Sequence, residues 1–589
     1  MQKLELTWVG KGTEPKLEPR ILIEDADKTY WHGKEQGLPQ PPTENMLIHG
    51  DNLLALKALE QDYAGKVKCI YIDPPYNTGN AFEHYDDGIE HSLWLNLMKP
   101  RLELLRTLLS DDGSIFISID NNEIAYLQVL MDEIYGRNNR KNIIILKRGS
   151  VTGAKVINPG LVNISEFILV YTKNTDNWRP NRLLRKKERD ERYGTYIENY
   201  EDGYSNWKFI PLLQAFAFKS GLNAKLLKKH LAEKYDTNLE KFVYENAHKI
   251  VQLATLDEKS ISKTALELKI LSESKRGEIF FLNREGKKPY YIHNGKLILF
   301  VKDRLSIIDG VLNFSEPLTD IWDDVLPNDL HNEGGVDFRK GKKPEKLIQR
   351  CFELATNKGD LVLDSFLGSG TTAAVALKMK RRFIGIELGA HAVTHCLPRL
   401  EKVVLNEDKS GISKSVNWQG GGGFKFYTLA PTLILKDKYG NAIINPEYNA
   451  TMLAAAMAKQ EGFTYAPHES VYFKQGFSSE KDFIFTTTQF ISVELLDKLH
   501  SELQATESLL ICCKSFKTEC KGRHANITIK KIPNALAGRC EFGKDDYSFN
   551  IVNALVEPVS ENYMGEVLEV KEKMLSKTEK KLDSQSTLF

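Results

Sequence analysis

The chain contains few cysteines, and their spacing argues against structural metal sites and disulfides. Seven occur in 589 residues. None forms a Cys-x-x-Cys pair, and the densest group, Cys512, Cys513 and Cys520, has no set of histidines beside it. Structural zinc sites need such paired ligands. We therefore predict no metal site, no disulfides, and free thiols of the kind found in reducing compartments.

Other signals are also missing. No run of 18 apolar residues occurs, so we expect no membrane-spanning helix. Residues 1–6 lack the apolar stretch of a signal peptide, which predicts a cytoplasmic location. The phosphate-binding pattern Gly-x-x-x-x-Gly-Lys-Ser/Thr is absent, so any ATP-driven motor would belong to a partner. The net charge of +1 gives no overall attraction to nucleic acid, and only local basic surface could supply it.

A distinctive motif follows an apolar strand predicted at residues 67–72. The next seven residues read Asp73-Pro74-Pro75-Tyr76-Asn77-Thr78-Gly79. A planar base with an exocyclic amine can stack on Tyr76 while its NH2 group donates to the Asp73 carboxylate and the Pro74 carbonyl. A base reaches such a pocket only after it leaves the duplex. Taken alone, the motif is as compatible with a proline-rich turn that an aspartate caps.

A glycine-containing turn follows a second apolar strand, at residues 361–364. Phe366, Gly368 and Gly370 lie in this turn, and a helix-forming segment comes next. Glycines let the backbone approach a ligand, and a helix N-terminus favours a carboxylate. The following strand ends in Glu387, close to the roughly 20-residue spacing at which an acid holds ribose hydroxyls in dinucleotide-binding folds. The combination predicts a nucleotide-like cofactor.

The two motifs together resemble those of S-adenosylmethionine-dependent DNA amino-methyltransferases. The catalytic motif precedes the Phe-x-Gly-x-Gly turn in the chain, which resembles the circularly permuted order of the β class. Other blocks of that family resemble residues 49–52, 115–120, 163–171, 320–322 and 343–348. The resemblance implies an α/β fold: a Rossmann-like methyltransferase core, an inserted target-recognition domain and a small C-terminal α/β domain.

The resemblance also implies S-adenosyl-L-methionine as the cofactor and gives roles to single residues. The catalytic residues would be Asp73, Pro74, Pro75 and Tyr76. The cofactor-binding residues would be Asp51, Lys343, Asp364, Phe366, Gly368, Gly370, Thr371 and Glu387. In that set Glu387 is expected to hold the ribose and Lys343 to face the methionine carboxylate. The alternative for Lys343 is a surface lysine at the start of a helix.

The expected reaction is attack by an exocyclic amine on an activated methyl group. No covalent intermediate with the enzyme is needed, which agrees with the absence of a Pro-Cys motif. Hydrogen bonds to Asp73 and Pro74 would localise the nitrogen lone pair, and alignment of the reacting atoms would supply much of the rest. In this family aspartate at the first motif position goes with N6-adenine and serine with N4-cytosine. Adenine is therefore the expected base, and cytosine is the alternative.

The layout of the chain resembles the modification subunits of type III restriction–modification systems. It has a long insert between the two motifs, a long region after Val404, and a run of four glycines at 420–423. The resemblance implies three partners: double-stranded DNA with an asymmetric site, a second copy of the chain, and a helicase–nuclease restriction subunit. An orphan or phase-variable methyltransferase and a catalytically silent recognition subunit remain alternatives.

The insert opens with a basic segment. Residues 179–192 contain seven basic and three acidic residues, and neutralising phosphates needs such a local surface. A solvated helical face is the alternative. The segment 222–262 predicts two or three helices and 277–301 predicts strands, among whose polar residues we expect base-edge contacts. The predicted DNA-binding residues are Arg179, Arg182, Arg185, Lys186 and Lys187.

The composition, 42% hydrophobic and 27% charged, provides enough core for about three to four domains. Their expected boundaries are an N-terminal arm (1–41), a catalytic half of the core (42–177), a target-recognition domain (178–319), a cofactor half (320–404), a C-terminal domain for dimerisation or partner docking (405–570) and a flexible tail (571–589).

Overall fold

The computed structural model describes residues 5–76, 91–148, 161–308, 311–326, 330–338, 341–536 and 538–548. The chain divides into two compact units, and the smaller one, Arg182–Thr319, is inserted between the two parts of the larger one. Asn77, Thr78 and Gly79 of the predicted motif and the predicted tail lie outside the described residues.

The N-terminal part of the larger unit alternates strands and helices. The first helix begins after Asp51, whose side chain accepts a hydrogen bond from the backbone N–H of Leu54 and so caps the first turn. The elements are β1 (Leu22–Trp31), β2 (Met46–His49), α1 (Asn52–Tyr63), β3 (Val67–Ile72), α2 (His91–Leu108), β4 (Leu109–Ile119), α3 (Ile124–Met131), β5 (Arg140–Lys147) and β6 (Ser165–Thr172).

The smaller unit is rich in antiparallel strands, with helices between them. Its elements are β7 (Leu184–Lys186), β8 (Thr195–Ile197), β9 (Phe209–Pro211), α4 (Leu212–Ser220), α5 (Leu227–Leu231), α6 (Tyr235–Glu245), β10 (Ile250–Thr255), α7 (Lys263–Ser274), β11 (Ile279–Arg284), β12 (Lys287–His293), β13 (Lys296–Phe300), β14 (Leu305–Ile308) and β15 (Val311–Pro317). Six strands form one sheet in the order β11-β12-β13-β10-β8-β9, and β14, β15 and β7 form a second.

One expectation for this unit needs correction, and one alternative is excluded. The segment 222–262 contains helices, as predicted, but Ile250–Thr255 is a strand in the middle of the larger sheet of this unit. A short apolar run cannot be assigned to helix or strand from its periodicity alone. The basic segment does not form a helical face, because Leu184–Lys186 pairs with β15.

The larger unit resumes with the second half of its core. Its elements are β16 (Ile321–Trp322), α8 (Glu345–Ala355), β17 (Leu361–Asp364), α9 (Thr371–Lys378), β18 (Arg382–Glu387), α10 (Leu397–Val404) and β19 (Gly423–Leu429). All ten strands of the larger unit named so far join one sheet in the order β1-β19-β2-β18-β17-β3-β4-β6-β5-β16.

The topology of this sheet confirms the predicted Rossmann-like core. Strands β2, β18, β17, β3 and β4 are parallel, and β6 is antiparallel to both of its neighbours. The chain moves one way along the sheet from β3 through α2 to β4, and the other way from β17 through α9 to β18. Because β3 and β17 are neighbours, the crossovers diverge between them, and open α/β sheets bind ligands at such a switch point.

Helices cover both faces of the sheet at β3. Ile70 and Ile72 belong to an apolar cluster that includes side chains of α1 and α2. Successive residues of a strand point to opposite faces. Cys69 therefore faces the other side, where α8 contacts β3 and where Cys69 and Cys351 are both fully buried. A strand covered on both faces reads as almost continuously apolar, which is why β3 could be predicted.

The structure corrects the expected N-terminal arm and the expected end of the core. β1 pairs antiparallel with β19, and β19 lies parallel to β2. Residues 22–31 and 423–429 therefore extend the core sheet rather than forming an arm and part of a separate C-terminal domain. β1 carries several charges and forms the edge of the sheet, where charged residues are common, so its composition resembles that of a linker.

The C-terminal region contains a small α/β fold, as predicted. Its elements are β20 (Ile434–Lys436), β21 (Ala442–Ile444), α11 (Ala450–Gln460), β22 (Thr464–Tyr465), β23 (Gly476–Ser479), β24 (Asp482–Ile491), α12 (Val493–Glu502), β25 (Ser508–Phe516) and β26 (Ile527–Lys531). Five of these strands form a sheet in the order β22-β23-β24-β25-β26. None of the described helices is long and apolar enough to cross a membrane.

Candidate active site

The fold brings the two predicted motifs to the same edge of the sheet. β3 and β17 are parallel neighbours, with Cys69 opposite Val362 and Ile70 opposite Leu363. Both strands then end at the switch point, β3 at the Asp73 motif and β17 at the glycine turn. Two segments that are far apart in sequence therefore form one candidate site.

A buried tryptophan forms a hydrogen bond with the backbone of the Asp73 motif. The indole Nε1 of Trp94, a fully buried residue of α2, donates to the carbonyl oxygen of Pro75 at 2.7 Å. Tyr76 is buried, and its hydroxyl donates to Oδ1 of Asp73 at 2.8 Å. The ring predicted to stack on a base is thus tied to the carboxylate predicted to accept from that base.

Lys343 contacts this motif, and its expected role toward the methionine carboxylate stays a prediction. Its ammonium lies 3.2 Å from Oδ1 of Asp73, donates to Oε2 of Glu166 at 3.0 Å, and donates to the hydroxyl of Tyr76. These are its contacts among the described residues, and none is with the glycine turn. The side chain is 12% exposed, so it is not a surface lysine either. Two carboxylates attract the ammonium to this position.

Glu166 extends the cluster toward the surface. It is a nearly buried residue of β6, and its other oxygen, Oε1, lies 3.0 Å from Nη1 of Arg148, whose side chain is 54% exposed. The charges therefore alternate from Arg148 through Glu166 and Lys343 to Asp73. The sequence analysis gave Glu166 no role of its own and included it only in the family-like segment 163–171. A lone acid in the apolar run of β6 was nevertheless a signal for a buried ionic contact.

Burial and charge act in opposite directions in this cluster. Burial raises the pKa of the Asp73 carboxyl above its ordinary value, while the Lys343 ammonium works against that shift. Burial acts to lower the pKa of Lys343, but Asp73 and Glu166 outweigh it, so the net shift is upward. Lys343 is therefore a cation at neutral pH.

The glycine turn has the backbone conformation that its glycines allow. Gly368 and Gly370 have φ values of +58° and +80°, and a Cβ added at Gly370 would lie 3.2 Å from the Cα of Cys396. Asp364 precedes the turn, and its carboxylate accepts from the backbone N–H of Phe366 at 2.9 Å and from the hydroxyl of Thr372 at 2.5 Å. Burial raises the pKa of Asp364 to about 7.

Glu387 also faces the turn. It ends β18, and its Oε2 accepts from the backbone N–H of Gly368 at 2.7 Å. Its Oε1 accepts from the N–H of Gly389 at 3.0 Å and lies 2.7 Å from Nε2 of His391. The predicted ribose ligand is thus at the turn, and its role toward a ribose stays a prediction.

A buried ionic cluster supports the turn from behind. Arg399 donates from Nη1 to the hydroxyl of Thr371 at 2.8 Å and from Nη2 to Oε1 of Glu345 at 2.9 Å. Lys378 donates to Oε2 of Glu345 and to Oδ2 of Asp408, both at 2.7 Å. The hydroxyl of Thr371, predicted to bind the cofactor, is therefore engaged by Arg399, which sequence reasoning missed.

Asp51, which was predicted to bind the cofactor, makes structural contacts in the described part of the chain, and its role toward a cofactor stays a prediction. Besides capping α1, its carboxylate accepts from the backbone N–H of Tyr547 at 3.0 Å and lies 3.5 Å from Nη2 of Arg101. The adjacent residue reaches the turn instead, because Asn52 donates to the carbonyl of Ser365 at 2.8 Å. The hydroxyl of Ser365 is buried and has no hydrogen-bond partner within the described part of the chain.

Comparison with known proteins identifies the family. The DNA methylase family model matches residues 67–397, which is more than half of the chain and includes both motifs. The chain belongs to this family. The match confirms the resemblance to DNA amino-methyltransferases.

Two relatives of this DNA methylase share much of its length. It is similar to the probable type III restriction-modification enzyme HindVI Mod subunit of Haemophilus influenzae, with 40% identity over 415 residues, covering 66% of this chain and 54% of that protein. It is also similar to the type III restriction-modification enzyme EcoP15I Mod subunit of Escherichia coli, with 26% identity over 541 residues, covering 80% of this chain and 79% of that protein. The chain thus spans about half the length of the HindVI relative.

Solved structures include a more distant neighbour of the methylase. The putative DNA modification methylase TTHA0409 of Thermus thermophilus, complexed with S-adenosyl-L-methionine, aligns with 14% identity and a TM-score of 0.30. The alignment covers 65% of this chain and 99% of that chain.

The predicted DNA-binding residues of the methylase differ in their surroundings. In the smaller unit, Arg185 and Lys187 both pair with Glu316, at 2.7 and 2.8 Å, whereas Arg182 and Lys186 are exposed and have no ion pair with any described residue. In the larger unit, Arg179 donates to the backbone carbonyls of residues 176 and 178. Of the four predicted DNA-binding residues in the smaller unit, Arg182 and Lys186 are therefore more available to phosphates than Arg185 and Lys187.

Proposed function

We propose that the chain transfers a methyl group from S-adenosyl-L-methionine to N6 of a flipped-out adenine in double-stranded DNA. The observation that carries this proposal is the meeting of the Asp73 motif and the glycine turn at the switch point of the sheet. The similarity to two Mod subunits supports the further proposal that the chain is the modification and recognition subunit of a type III restriction–modification system.

The residues at the glycine turn suit this cofactor. Asp364 and Glu387 offer carboxylate acceptors for hydroxyl and amino groups, and the hydroxyl of Ser365 lacks a partner among the described residues. The two glycines with positive φ leave the backbone of the turn open to close approach. When bound, S-adenosylmethionine supplies a methyl group that a positively charged sulfur already activates.

The Asp73 motif performs the other half of the chemistry. Asp73 and the Pro74 carbonyl accept the two hydrogens of the amino group, and Pro74 has no backbone N–H that could compete. This localises the lone pair on the nitrogen that would form the new N–C bond, while the bond between the methyl carbon and the cofactor sulfur would break and the sulfur would keep that electron pair as a thioether. The nitrogen then loses one proton, and Asp73, whose pKa burial raises, is placed to receive it.

We propose that Tyr76 changes partners during this reaction. Its hydroxyl donates to Oδ1 of Asp73, and an amino group that used the same oxygen as its acceptor would compete with it. Release of the hydroxyl frees the ring to stack on the base, as enzymes that extrude a base require. Adenine is favoured over cytosine by the aspartate at the first motif position.

We also propose the partners that the type III assignment implies. These are DNA with an asymmetric site, a second copy of the chain and a helicase–nuclease restriction subunit, all in the cytoplasm. The C-terminal region is the proposed docking part, and the smaller unit is the proposed target-recognition domain.

The test is modified-base sequencing of DNA from a methylation-free bacterial host that expresses the chain alone. We expect N6-methyladenine on one strand of a short asymmetric site, and none from an Asp73→Ala variant that still binds S-adenosylmethionine by calorimetry. N4-methylcytosine would overturn the base assignment, and a palindromic site modified on both strands would indicate a stand-alone enzyme. No modification by soluble, cofactor-binding protein would indicate a recognition subunit.

A further inference from the structure

The ionic cluster around Lys343 addresses a difficulty in the reaction. Asp73 is a strong acceptor for an amino group, and can receive its proton, only when the carboxyl is ionised. Its side chain is only 18% exposed, and burial favours its neutral form. When Tyr76 turns away to stack on the base, the carboxylate also loses the hydrogen bond from that hydroxyl. A buried carboxylate without a partner is strongly disfavoured.

We propose that Lys343, held in place by Glu166, is a positioning residue for methyl transfer that keeps the Asp73 carboxylate ionised and aimed after Tyr76 releases it. The proposal rests on the proposed function, because it concerns the acceptor of the same amino group. Lys343 reaches Asp73 from the segment just before α8, which follows the insert in the chain. Because this segment is separate from the Asp73 motif, Lys343 can stay on Asp73 while Tyr76 moves.

Glu166 determines how tightly Lys343 holds Asp73. The ammonium lies 3.0 Å from the Glu166 carboxylate and 3.2 Å from the Asp73 carboxylate, so it is shared almost equally. An ammonium that paired with Asp73 alone would draw its electrons away from the amino group and weaken it as an acceptor. Arg148 balances the charge of Glu166 on its other oxygen, so the shared arrangement remains neutral overall.

Other titratable groups face this cluster from neighbouring elements. Tyr71 of β3 and Asp364 of β17 both interact electrostatically with Asp73. Asp120, which follows β4, interacts with Glu166. Because the pKa of Asp364 is about 7, its ionisation overlaps the pH range of interest. The inference therefore rests on the difference between the wild-type and variant profiles, in all of which Asp364 is unchanged.

The experiment measures the single-turnover rate of methyl transfer to an oligonucleotide duplex against pH, with radiolabelled S-adenosylmethionine. The acidic limb of this profile reports the essential base in the enzyme–substrate complex, which is Asp73 in the proposed function. Lys343→Met should move the acidic limb to higher pH by about one unit or more. At pH values below the midpoint of the limb, this shift lowers the rate of methyl transfer tenfold or more. Lys343→Arg should restore most of the wild-type position.

Glu166→Gln should move the limb in the opposite direction. It removes the carboxylate that competes for the ammonium, so Lys343 pairs more closely with Asp73 and the limb shifts to lower pH. The maximal rate should fall, because the acceptor is weaker. A merely structural role for either residue would lower the rate at every pH and leave the limb in place.

Lys346→Met is the matched control, because this nearby lysine pairs at the surface with Asp324 and should leave the profile unchanged. Calorimetric affinity for S-adenosylmethionine should be kept in Lys343→Met. A tenfold loss of that affinity with an unmoved limb would overturn the proposal and return Lys343 to the cofactor. If Lys343→Met does not fold, an unmoved limb in Glu166→Gln overturns it. A wild-type chain without methyl transfer defeats the proposed function itself, and the inference with it.

Discussion

Replacing Lys378 by methionine should destabilise the cofactor half of the core, because it removes a cation that two buried carboxylates share. The Lys378 ammonium lies 2.7 Å from Glu345 and 2.7 Å from Asp408, and all three side chains are 2% exposed or less. Methionine keeps the apolar stem, so little cavity forms. Removing one partner of a buried ion pair typically costs about 3–5 kcal/mol.

The lower end of that range is expected from the remaining contacts. After the change, Glu345 would still accept from Arg399 at 2.9 Å and from the backbone N–H of Ile412 at 3.0 Å. Asp408 would keep the N–H and hydroxyl of Ser410. Both carboxylates thus retain hydrogen bonds but only one retains a cation, so we expect a loss of about 3 kcal/mol.

The loss should depend on pH in a defined direction. Burial acts to raise the pKa of Asp408, but Lys378 outweighs it, and the pKa lies below the ordinary value of 3.8. A carboxyl with a lowered folded pKa contributes stability above its unfolded pKa and loses it as the pH falls through the folded value. The difference between wild type and Lys378→Met should therefore be largest near neutral pH and shrink below about pH 4.

The assay is hydrogen exchange of the amides of α8 and α9, since a chain of two compact units need not unfold in one transition. Lys346→Met is the control, because its pair with Asp324 is half exposed and should be worth about 1 kcal/mol or less. Equal protection in the two variants would refute the reasoning, since the buried cluster would then contribute no more than a surface pair.

Two further predictions concern the turn and the smaller unit. Because burial raises the pKa of Asp364 to about 7, the folded state holds a proton that the unfolded state loses above about pH 4, and stability falls as the pH rises between these values. Between pH 5 and pH 8, the free energy of unfolding of Asp364→Asn should rise relative to that of the wild type by up to about 3 kcal/mol, as measured by thermal melts. Parallel curves of stability against pH for the two proteins would contradict this. The double variant Arg182→Gln/Lys186→Gln should reduce the slope of log K for DNA binding against log salt concentration by about 2. The double variant Arg185→Gln/Lys187→Gln should reduce it by less, because both of these residues pair with Glu316. Equal slopes would count against the difference in exposure.

The predictions that succeeded concern local patterns. An apolar strand followed by Asp73-Pro74-Pro75-Tyr76, and another followed by spaced glycines, specify strand ends whose geometry depends on a few neighbouring residues. Parallel strands that end at one edge then bring the two motifs together. The two strand ends could therefore be predicted before the fold was known, and the chemistry assigned to each stays a prediction.

The contacts that could not be predicted join distant segments of the chain. Lys343 contacts Asp73 and Glu166, and no spacing rule links those three positions in a single sequence. Arg399 and Lys378 are buried charges within helices that read as ordinary amphipathic segments. Their roles are visible only when Glu345, at the start of another helix, lies between them.

The position of β19 between β1 and β2 determines when the core can close during synthesis. In the described sheet, β19 lies between β1 and β2 and is hydrogen-bonded to both. Its residues, 423–429, are synthesised long after those of β1 and β2. At the usual rate of translation the interval is roughly 20–80 s. Throughout it an open sheet edge can pair with other chains. A premature stop before Gly423 would therefore leave both motifs on an aggregation-prone chain, rather than produce a smaller working methylase.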